Sequence, residues 1–202
     1  IGTVTATDAE GYDLTFSISG SDLGITSAGV LTFNAAPDYE TKSSYTATIA
    51  VNDGVKYVTQ QITVTVLDVN EAPIFTSAAA FSADENQTAI GTATATDAEG
   101  DALTFSVSGS DLLMSSSGVL TFNSAPDYET KSSYSAVVTA SDGTNTTTQA
   151  ITVTVLDVNE APIFTSAAAF SADENQTAIG TVTATDAEGD ALTFSVSGSD
   201  LS

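Results

Sequence analysis

Short runs of alternating apolar and polar residues make up most of the chain. In the segments 103–107 and 151–155, Leu, Phe, Ile or Val occupies every second position and Ser or Thr stands between them. A two-residue period is typical of β-strands that bury one face and expose the other to solvent. Turn residues separate the runs, as EGD at 99–101, SGSD at 108–111 and SDGTN at 141–145. The pattern therefore predicts strands joined by tight turns.

The predicted strands are short, and no segment has a helical period. We place seven of them between residues 70 and 158, near 74–80, 90–97, 103–108, 112–115, 119–122, 133–141 and 148–156. Seven short strands in a segment of this length are typical of an antiparallel Greek-key β-sandwich of the Ig-like type, which is large enough to have its own core. The predicted fold class is therefore all-β.

An internal repeat defines the organisation of the chain. The segment DVNEAPIFTSAAAFSADENQTAIGT at 68–92 occurs again, unchanged, at 157–181. Asp8, Asp97 and Asp186 mark one position of this repeat at intervals of 89 residues. The sequence therefore predicts tandem β-sandwiches, namely a partial repeat at 1–69 without its first strand, a complete repeat at 70–158, and a partial repeat at 159–202 with the first strands only.

The near-identity of the repeats suggests that more copies exist. Because duplication tends to extend arrays, and because the chain begins with Ile1, we expect it to be an excerpt of a longer tandem protein. An alternative is that the incomplete ends complete each other between chains, as in strand-swapped polymers. End-to-end joining would duplicate 24 residues, since 179–202 repeat 1–24 with few changes, and the excerpt is therefore the favoured interpretation.

Composition excludes several classes of function. The chain has 26 acidic residues, 3 basic residues and no His or Cys, for a net charge of −23. Such a charge repels nucleic acid and anionic lipid, so neither is an expected partner. Without His and Cys there is no His-based triad, thiol nucleophile, disulfide, or zinc or copper site of the usual kind. No apolar run approaches the roughly 18 residues of a membrane span, so we expect no membrane insertion in this segment.

The acidic residues lie in groups where predicted strands meet loops. The groups are ADEN at 83–86, TDAEGD at 96–101, PDYE at 126–129, ASD at 140–142 and LDVNE at 156–160. Two unit charges about 5 Å apart repel by roughly 1–3 kcal/mol, so such groups need a counter-cation. Oxygen ligands in irregular geometry favour calcium over zinc, copper or magnesium. The alternative, that the acids only solubilise the protein, explains the charge but not the grouping.

In order along the chain, ADEN, TDAE, PDYE, the Asp of VNDG or ASDG, and DVNEAPIF resemble the calcium motifs of cadherin repeats. The chain is most similar to the bacterial cadherin-like repeats of very long surface proteins, and the resemblance covers its whole length. It implies calcium-binding Ig-like sandwiches joined head to tail, with two or three Ca²⁺ ions at each junction between neighbouring repeats.

The resemblance also implies a ligand set for each junction, drawn from both neighbouring repeats and their linker. For the first junction the expected ligands are Asp38, Glu40, Asp68, Asn70, Glu71, Asp97, Glu99 and Asp142. For the second junction they are Glu85, Asp127, Glu129, Asp157, Asn159, Glu160, Asp186 and Glu188.

This sequence departs from the family pattern in its linker. The linker reads DVNE directly before AP, where the family usually has DxNDN, so it is one residue shorter. Glu71 and Glu160 replace an Asp, and Glu99 and Glu188 replace the second Asp of the family's DxD motif. The longer side chains still reach a cation, but the departure bears on the number and spacing of the ions.

The function implied by the resemblance is structural. We expect a calcium-rigidified repeat of a long extracellular adhesin or surface filament, located at the cell surface and acting as a shaft or spacer. The alternative is that the repeats are themselves adhesive, binding a glycan or self-associating homophilically or within a filament. Exposed aromatic residues outside the core would favour that alternative, and the candidates are Tyr12, Phe75, Phe81, Phe164 and Phe170. An enzyme is not expected, because no cleft with an isolated acid is evident.

Two further features have ordinary structural interpretations. Lys42 and Lys131 each precede Ser-Ser-Tyr, and we expect them to make salt contacts rather than intramolecular isopeptide bonds. Asn86 and Asn175 stand in Asn-Gln-Thr sequons directly after the Glu of ADEN, where a structural role is the favoured interpretation over glycosylation.

Overall fold

The computed structural model describes residues 2–198, and Ile1 and 199–202, at the outer ends of the first and third predicted repeats, lie outside the described residues. The chain divides into two compact units. Unit 1 comprises Ile1–Glu71 and Ala98–Asp101, and unit 2 comprises Ala72–Asp97 and Ala102–Ser202. Strands and turns form the described residues, without a helix, so the predicted all-β fold class is confirmed. Residues 2–198 therefore include no helix with the length and apolar character needed to cross a membrane.

Unit 1 contains two three-stranded sheets. Its strands are β1 (Gly2–Thr3), β2 (Thr15–Ile18), β3 (Leu23–Ile25), β4 (Val30–Phe33), β5 (Ser44–Asn52) and β6 (Tyr57–Thr65). One sheet has the order β1–β4–β3 and the other the order β2–β5–β6. The long hairpin β5–β6 pairs Ser44 with Thr65 at one end and Asn52 with Tyr57 at the other.

Unit 2 contains the same two sheets in a more complete form. Its strands are β7 (Ile74–Phe75), β8 (Ala80–Asp84), β9 (Ala89–Thr92), β10 (Ala95–Thr96), β11 (Thr104–Val107), β12 (Leu112–Met114), β13 (Val119–Phe122), β14 (Ser133–Ser141), β15 (Thr146–Leu156), β16 (Ile163–Phe164) and β17 (Ala184–Thr185). The orders are β12–β13–β9 for the three-stranded sheet and β11–β14–β15–β8 for the four-stranded sheet. Two short pairs, β7–β10 and β16–β17, complete the unit.

Two predicted strands are divided in the structure. The strand expected at 74–80 becomes β7, which pairs with β10, and β8, which pairs with β15. The strand expected at 90–97 becomes β9, which pairs with β13, and β10. In each case the two parts pair with different neighbours, so the ladder is interrupted between them.

One strand pair corrects the expectation of a purely antiparallel sandwich. β8 runs parallel to β15, with Thr152 opposite Ala80 and Leu156 opposite Asp84. The other pairs among the described residues are antiparallel. β8 and β15 are separated in the sequence by the strands β9 to β14 rather than joined by a hairpin, so their connection allows a parallel pair.

The core of unit 2 lies between its two larger sheets. Leu120 and Phe122 come from one sheet and Val138, Val153 and Val155 from the other, and all five are buried. Partly buried residues such as Phe75 and Phe81 pack against this cluster, so they are not the exposed aromatic residues of an adhesive surface. The apolar residues that alternate with Ser and Thr in 103–107 and 151–155 therefore face the core, and the Ser and Thr residues face the solvent.

Beside this core, two backbone segments lie so close together that one of them requires a glycine. Gly118 has a φ of +87°, and a Cβ built there would lie 2.3 Å from the backbone oxygen of Ala93. The N–H of Ala93 donates to the oxygen of Gly118 at 2.9 Å, which holds the turn before β13 against the segment after β9. Gly29 makes the equivalent approach to Val4 in unit 1. A side chain at either position would force the two segments apart.

Candidate metal centres

The candidate sites are built around Glu85, which follows β8. Its side chain is only 3% exposed, and it is the one charged residue buried within residues 2–198. One carboxylate oxygen accepts a hydrogen bond from the N–H of Tyr128 at 2.8 Å, and the other accepts one from the N–H of Val158 at 2.9 Å. A buried charge needs such partners. Each oxygen keeps a second lone pair with which it can bind a cation.

Asn86 shapes the turn that carries Glu85. Its φ of 61° lies in the left-handed region, which Asn adopts more readily than most residues. Its N–H donates to the oxygen of Pro126 at 3.0 Å, and its side-chain amide donates to Oε1 of Glu160. Asn86 therefore has a structural role, as the sequence suggested, and links the ADEN motif to the linker that follows β15.

Two groups of three carboxylates lie in unit 2. The first consists of Glu85, Glu129 and Asp157, and the second of Glu129, Glu160 and Glu188. Within each group, one oxygen from every residue lies within 4.8 Å of the others. Two ligands at about 2.4 Å from the same calcium ion are separated by at most about twice that distance. Each group therefore has the spacing of a single-ion site, and Glu129 belongs to both.

The second group contains carboxylate oxygens to which no other group of the protein donates. Glu160 Oε2 and Glu188 Oε2 are buried, and neither accepts a hydrogen bond from an N–H or a hydroxyl. The other oxygens are engaged, because Glu188 Oε1 accepts from the N–H of Glu160 at 3.2 Å and Glu160 Oε1 accepts from Asn86. Buried unsatisfied oxygens are unfavourable unless a cation or proton compensates them.

When no cation is present, a proton shared between Glu160 and Glu188 would compensate this charge. The hydrogen bond to Glu188 raises the pKa of Glu160 to about 7, and burial adds to the shift. The same hydrogen bond lowers the pKa of Glu188. The pKa of Glu129 is lowered by its own backbone N–H but raised on balance by burial and by the charges of Glu85 and Asp157. The group therefore holds more negative charge than the protein neutralises.

Unit 1 contains one group, consisting of Glu40, Glu71 and Glu99, again with oxygens within 4.8 Å. These residues are the counterparts of Glu129, Glu160 and Glu188, one repeat earlier. The hydrogen bond to Glu99, together with burial, raises the pKa of Glu71 to about 7. Asp68 lines the same cleft as Glu40 and Glu99, which has a volume of about 410 Å³. Its charge also contributes to the raised pKa of Glu40, against the lowering effect of that residue's own N–H.

Several expected ligands lie outside these three groups. Asp38 and Asp127 each accept hydrogen bonds at 3.0 Å from the backbone N–H and the hydroxyl of a Thr three residues later. Asp186 accepts from the N–H of Asp190 at 2.9 Å. The remaining expected ligands are not members of a three-carboxylate group either: Asp68, Asn70, Asp97, Asp142 and Asn159. Asp97 and Asp142 belong to unit 2, whereas the group at the first predicted junction belongs to unit 1.

Sequence reasoning missed some of the groups that shape these sites. The backbone donors of Tyr128 and Val158 leave no sequence signal, because any residue except Pro supplies an N–H. The only sequence signal for the contact of Asn86 with Glu160 was the position of Asn86 at the end of ADEN. The salt contacts expected of the lysines are confirmed, since Lys42 and Lys131 bind Asp22 and Asp111 at 2.6 Å.

The donor set fits a hard divalent cation. All side chains in the three groups are carboxylates, and oxygen ligands with several negative charges are the ligands that calcium prefers. The groups contain no nitrogen or sulfur ligand of the kind that selects zinc or copper.

Comparisons with known sequences agree with this architecture. Residues 70–155 match the family model described as "Bacterial Ig domain". Chitinase A of Pseudoalteromonas piscicida is 33% identical over 129 residues, which cover 63% of this chain and 16% of the chitinase. Protocadherin-15 of Homo sapiens is 38% identical over 78 residues, which cover 35% of this chain and 4% of that protein. The chain therefore spans only a small part of the length of each of these relatives.

Solved structures with a similar fold are cadherin repeats. Human CDH23 EC21–23 has a TM-score of 0.60 and is 22% identical, with 93% of this chain and 78% of that chain covered. Human protocadherin-24 EC1–2 (form II) has a TM-score of 0.58 and is 22% identical, with 78% and 88% covered. The fold is that of cadherin repeats and Ig-like domains. The resemblance to bacterial cadherin-like, Ig-like repeats is confirmed, and residues 70–155 match the bacterial Ig domain family.

Proposed function

We propose that the acidic groups bind Ca²⁺ and that the repeats form a calcium-rigidified, non-catalytic shaft or spacer of an extracellular adhesin or surface filament. The observation that supports this most directly is in unit 2. Glu129 and Asp157 of the complete predicted repeat, together with buried Glu85, meet Glu160 and Glu188 of the following one in two groups that share a ligand. A cation there would hold successive repeats to their linker.

The physical effect of calcium at this point is to replace repulsion by attraction. Five carboxylates lie in the two groups of unit 2, and the unit 2 lysine, Lys131, is engaged with Asp111. Bound Ca²⁺ would neutralise Glu160 and Glu188 without the shared proton and would fix the loop after β17 to the segment after β15. We propose that each predicted junction has this arrangement and takes two or three ions. The predicted domain boundaries at 69/70 and 158/159 belong to the same proposal.

Terbium luminescence on the full chain tests calcium binding directly. Tyr128 lies next to Glu129 in the sequence and its N–H contacts Glu85, so excitation of this ring should sensitise an ion bound there. We expect Glu129→Gln to weaken terbium binding by about tenfold or more, since it removes a charge from two sites. Asp84→Asn is the matched control, because Asp84 is exposed in β8 and belongs to none of the groups. Equal effects of both variants would contradict the proposal.

Small-angle X-ray scattering tests the proposal that calcium rigidifies the repeats. We expect the full chain to scatter as a stiffer particle in millimolar calcium than in excess chelator, and Glu129→Gln to reduce the difference, because the group of Glu40, Glu71 and Glu99 is unchanged. Terbium binding without a calcium-dependent change in scattering would retain the metal sites and reject the rigidifying role.

A second candidate function, glycan binding, is favoured by one groove in unit 1. Tyr12 and Tyr57 are 58% and 70% exposed and line the same groove, whose volume is about 460 Å³, with Val55, Asp53 and Lys56. Exposed aromatic rings beside hydrogen-bonding groups suit the apolar and polar faces of a sugar. One relative is named as a chitinase, so chitin is the first glycan to test. Binding that is lost in the double variant Tyr12→Ala and Tyr57→Ala but kept in Phe194→Ala would support this function.

A further inference from the structure

The four-stranded sheet of unit 2 pairs a strand from the beginning of the complete predicted repeat with the last strand of that repeat. Five residues of β8 pair in parallel with five of β15, and we call this pairing the β8–β15 ladder. At one end of the ladder the N–H of Thr152 donates to the oxygen of Ala79 at 2.9 Å, and at the other end the N–H of Glu85 donates to the oxygen of Leu156 at 3.0 Å. Because the strands are parallel, the chain enters β8 at one end of the ladder and leaves β15 at the opposite end.

This direction determines how tension along the chain would act on the ladder. Tension pulls the start of β8 and the end of β15 apart along the strand axis. The hydrogen bonds run between the strands, across this direction, so the whole ladder shares the load and its bonds break together. In an antiparallel pair the same two points would lie at one end of the ladder, and tension would break the bonds one at a time.

The core and a buried side chain strengthen the ladder. Ala83 of β8 belongs to the same buried cluster as Val153 and Val155 of β15, which are 0% and 1% exposed. The Glu85 carboxylate accepts a hydrogen bond from the N–H of Val158 at 2.9 Å, which ties the chain that leaves β15 to the end of β8. Sliding of β8 along β15 would therefore expose apolar side chains as well as break hydrogen bonds.

The strand that precedes β8 is held much less firmly. β7 pairs with β10 over two residues, and Ile74 is 69% exposed. The N–H groups of Thr76 and Ser77 add hydrogen bonds of 2.8 and 3.1 Å to the oxygen of Thr94. Short pairs with exposed side chains open at low free energy. Release of residues 74–79 would free at most about 20 Å of extended chain and leave the β8–β15 ladder closed.

We infer that the complete repeat in unit 2 is a load-bearing module that yields to tension in two stages. β7 is released first and lengthens the chain, and the β8–β15 ladder then holds the rest of the repeat folded up to a higher force. The repeat thus resists tension, in addition to setting a distance along the chain. This inference rests on the proposed shaft role for its biological use, whereas the strand geometry does not depend on calcium.

Single-molecule force spectroscopy on the full chain tests the ladder. The sequence has no cysteine, so pairs of introduced cysteines determine where the handles attach. Ala78→Cys with Val158→Cys loads the ladder in shear, whereas Gln87→Cys with Val158→Cys pulls at a single end of it, and all three positions are exposed. We expect an unfolding force about twofold higher or more in the first geometry, because the bonds break together rather than singly. Equal forces in the two geometries would overturn the inference.

Moving one handle tests the first stage. Ala72→Cys with Val158→Cys places β7 between the attachment points, whereas Ala78→Cys with Val158→Cys leaves it outside. We expect an early step of at most about 20 Å with the first pair alone, followed by the same unfolding force with both pairs. An early step in both pairs, or in neither, would overturn the release of β7.

These measurements are made in excess chelator, so their outcome is independent of calcium binding. Equal forces in the two geometries would reject the load-bearing ladder and leave the proposed calcium sites intact. Failure of terbium to bind would reject the calcium sites and leave the ladder intact.

Discussion

Units 1 and 2 carry the same TVTVL segment on their outermost long strand, yet they bury it to different depths. In unit 2 this segment lies beside β8, and its valines belong to a cluster of nine buried residues. In unit 1 it forms a sheet edge, and the corresponding cluster contains Leu23, Ala47 and Val64. The sequence of a strand therefore determines which face is apolar, whereas the neighbouring strand determines how much of that face is removed from water.

Unlike the cores, one acidic group is the same in both units. Glu40, Glu71 and Glu99 in unit 1 repeat the arrangement of Glu129, Glu160 and Glu188 in unit 2. This arrangement does not depend on β8, since its members come from loops and linkers. The group that contains Glu85 does depend on β8 and is described only in unit 2. The comparison thus separates a site that each unit forms by itself from one that requires the additional strand.

The largest expected difference between the units is in core stability. Leu120→Ala should destabilise unit 2 by about 3–4 kcal/mol, because the side chain is fully buried and leaves a cavity. Leu31→Ala should cost unit 1 about 2 kcal/mol, because Leu31 is 7% exposed and the smaller core can relax around the change. Urea unfolding followed by hydrogen exchange of each unit measures both, and equal losses would mean that β8 adds nothing to the core.

The next difference concerns calcium stoichiometry. Glu129→Gln alters a ligand common to two groups, whereas Glu40→Gln alters a ligand of one. Isothermal titration calorimetry should therefore show a greater loss of bound calcium for Glu129→Gln than for Glu40→Gln. Asp84→Asn serves as the control for loss of charge alone. Identical losses in the two glutamate variants would contradict the assignment of Glu129 to both groups.

A smaller effect is expected from pH, and it should be the same in both units. The pKa values of Glu71 and Glu160 are raised from 4.5 to about 7 by hydrogen bonds to Glu99 and Glu188. A raised carboxyl pKa contributes stability that is complete below the unfolded value and is lost as pH rises through the folded value. In chelator, the melting temperature should therefore fall between pH 5 and pH 8.

Two controls test the cause of this fall in melting temperature: saturating calcium and the variant Glu160→Gln. Saturating calcium should offset the fall, because the cation replaces the shared proton, and Glu160→Gln should reduce it. A melting temperature that rises between pH 5 and pH 8 in chelator would show that Glu160 and Glu188 do not share a proton.

The smallest effect is expected at the lysines. Lys42 and Lys131 lie 4.2 and 4.0 Å from the ring centroids of Tyr45 and Tyr134 and make equivalent salt bridges. Exposed ion pairs contribute little, because solvent screens them. Replacement of either by Met should shift the urea midpoint of its unit only slightly and to the same extent. A large shift in one unit alone would show that the repeats differ at a position where their sequences agree.

Much of the fold could be predicted from the sequence, because alternation and repetition are local signals. The strands β13 and β14 have the predicted bounds, 119–122 and 133–141. The divisions of 74–80 and 90–97 could not be predicted, since the apolar pattern of a strand does not reveal which neighbour it pairs with. The parallel direction of β8 was missed for the same reason.

The sequence predicted which acidic segments meet in the candidate sites, but not which acids are free to contact a cation. The grouping of PDYE, the linker and TDAE indicated which acids meet, and Glu129, Glu160 and Glu188 do so. Whether an acid contacts a cation or its own turn depends on a few local hydrogen bonds. Asp38 and Asp127 accept from Thr41 and Thr130, which the family motif does not signal.

The shared position of Glu129 makes the two proposed calcium ions of unit 2 thermodynamically linked. The first ion to bind would immobilise this carboxylate, so the second would find one ligand already in place. Five carboxylates carry more negative charge than two Ca²⁺ ions neutralise, so mutual repulsion of the ions is shielded by the ligands between them. If calcium binds as proposed, filling would be steep in calcium concentration, and a repeat array built from such sites would change from loose to stiff over a narrow range of calcium, as a threshold rather than a gradual response.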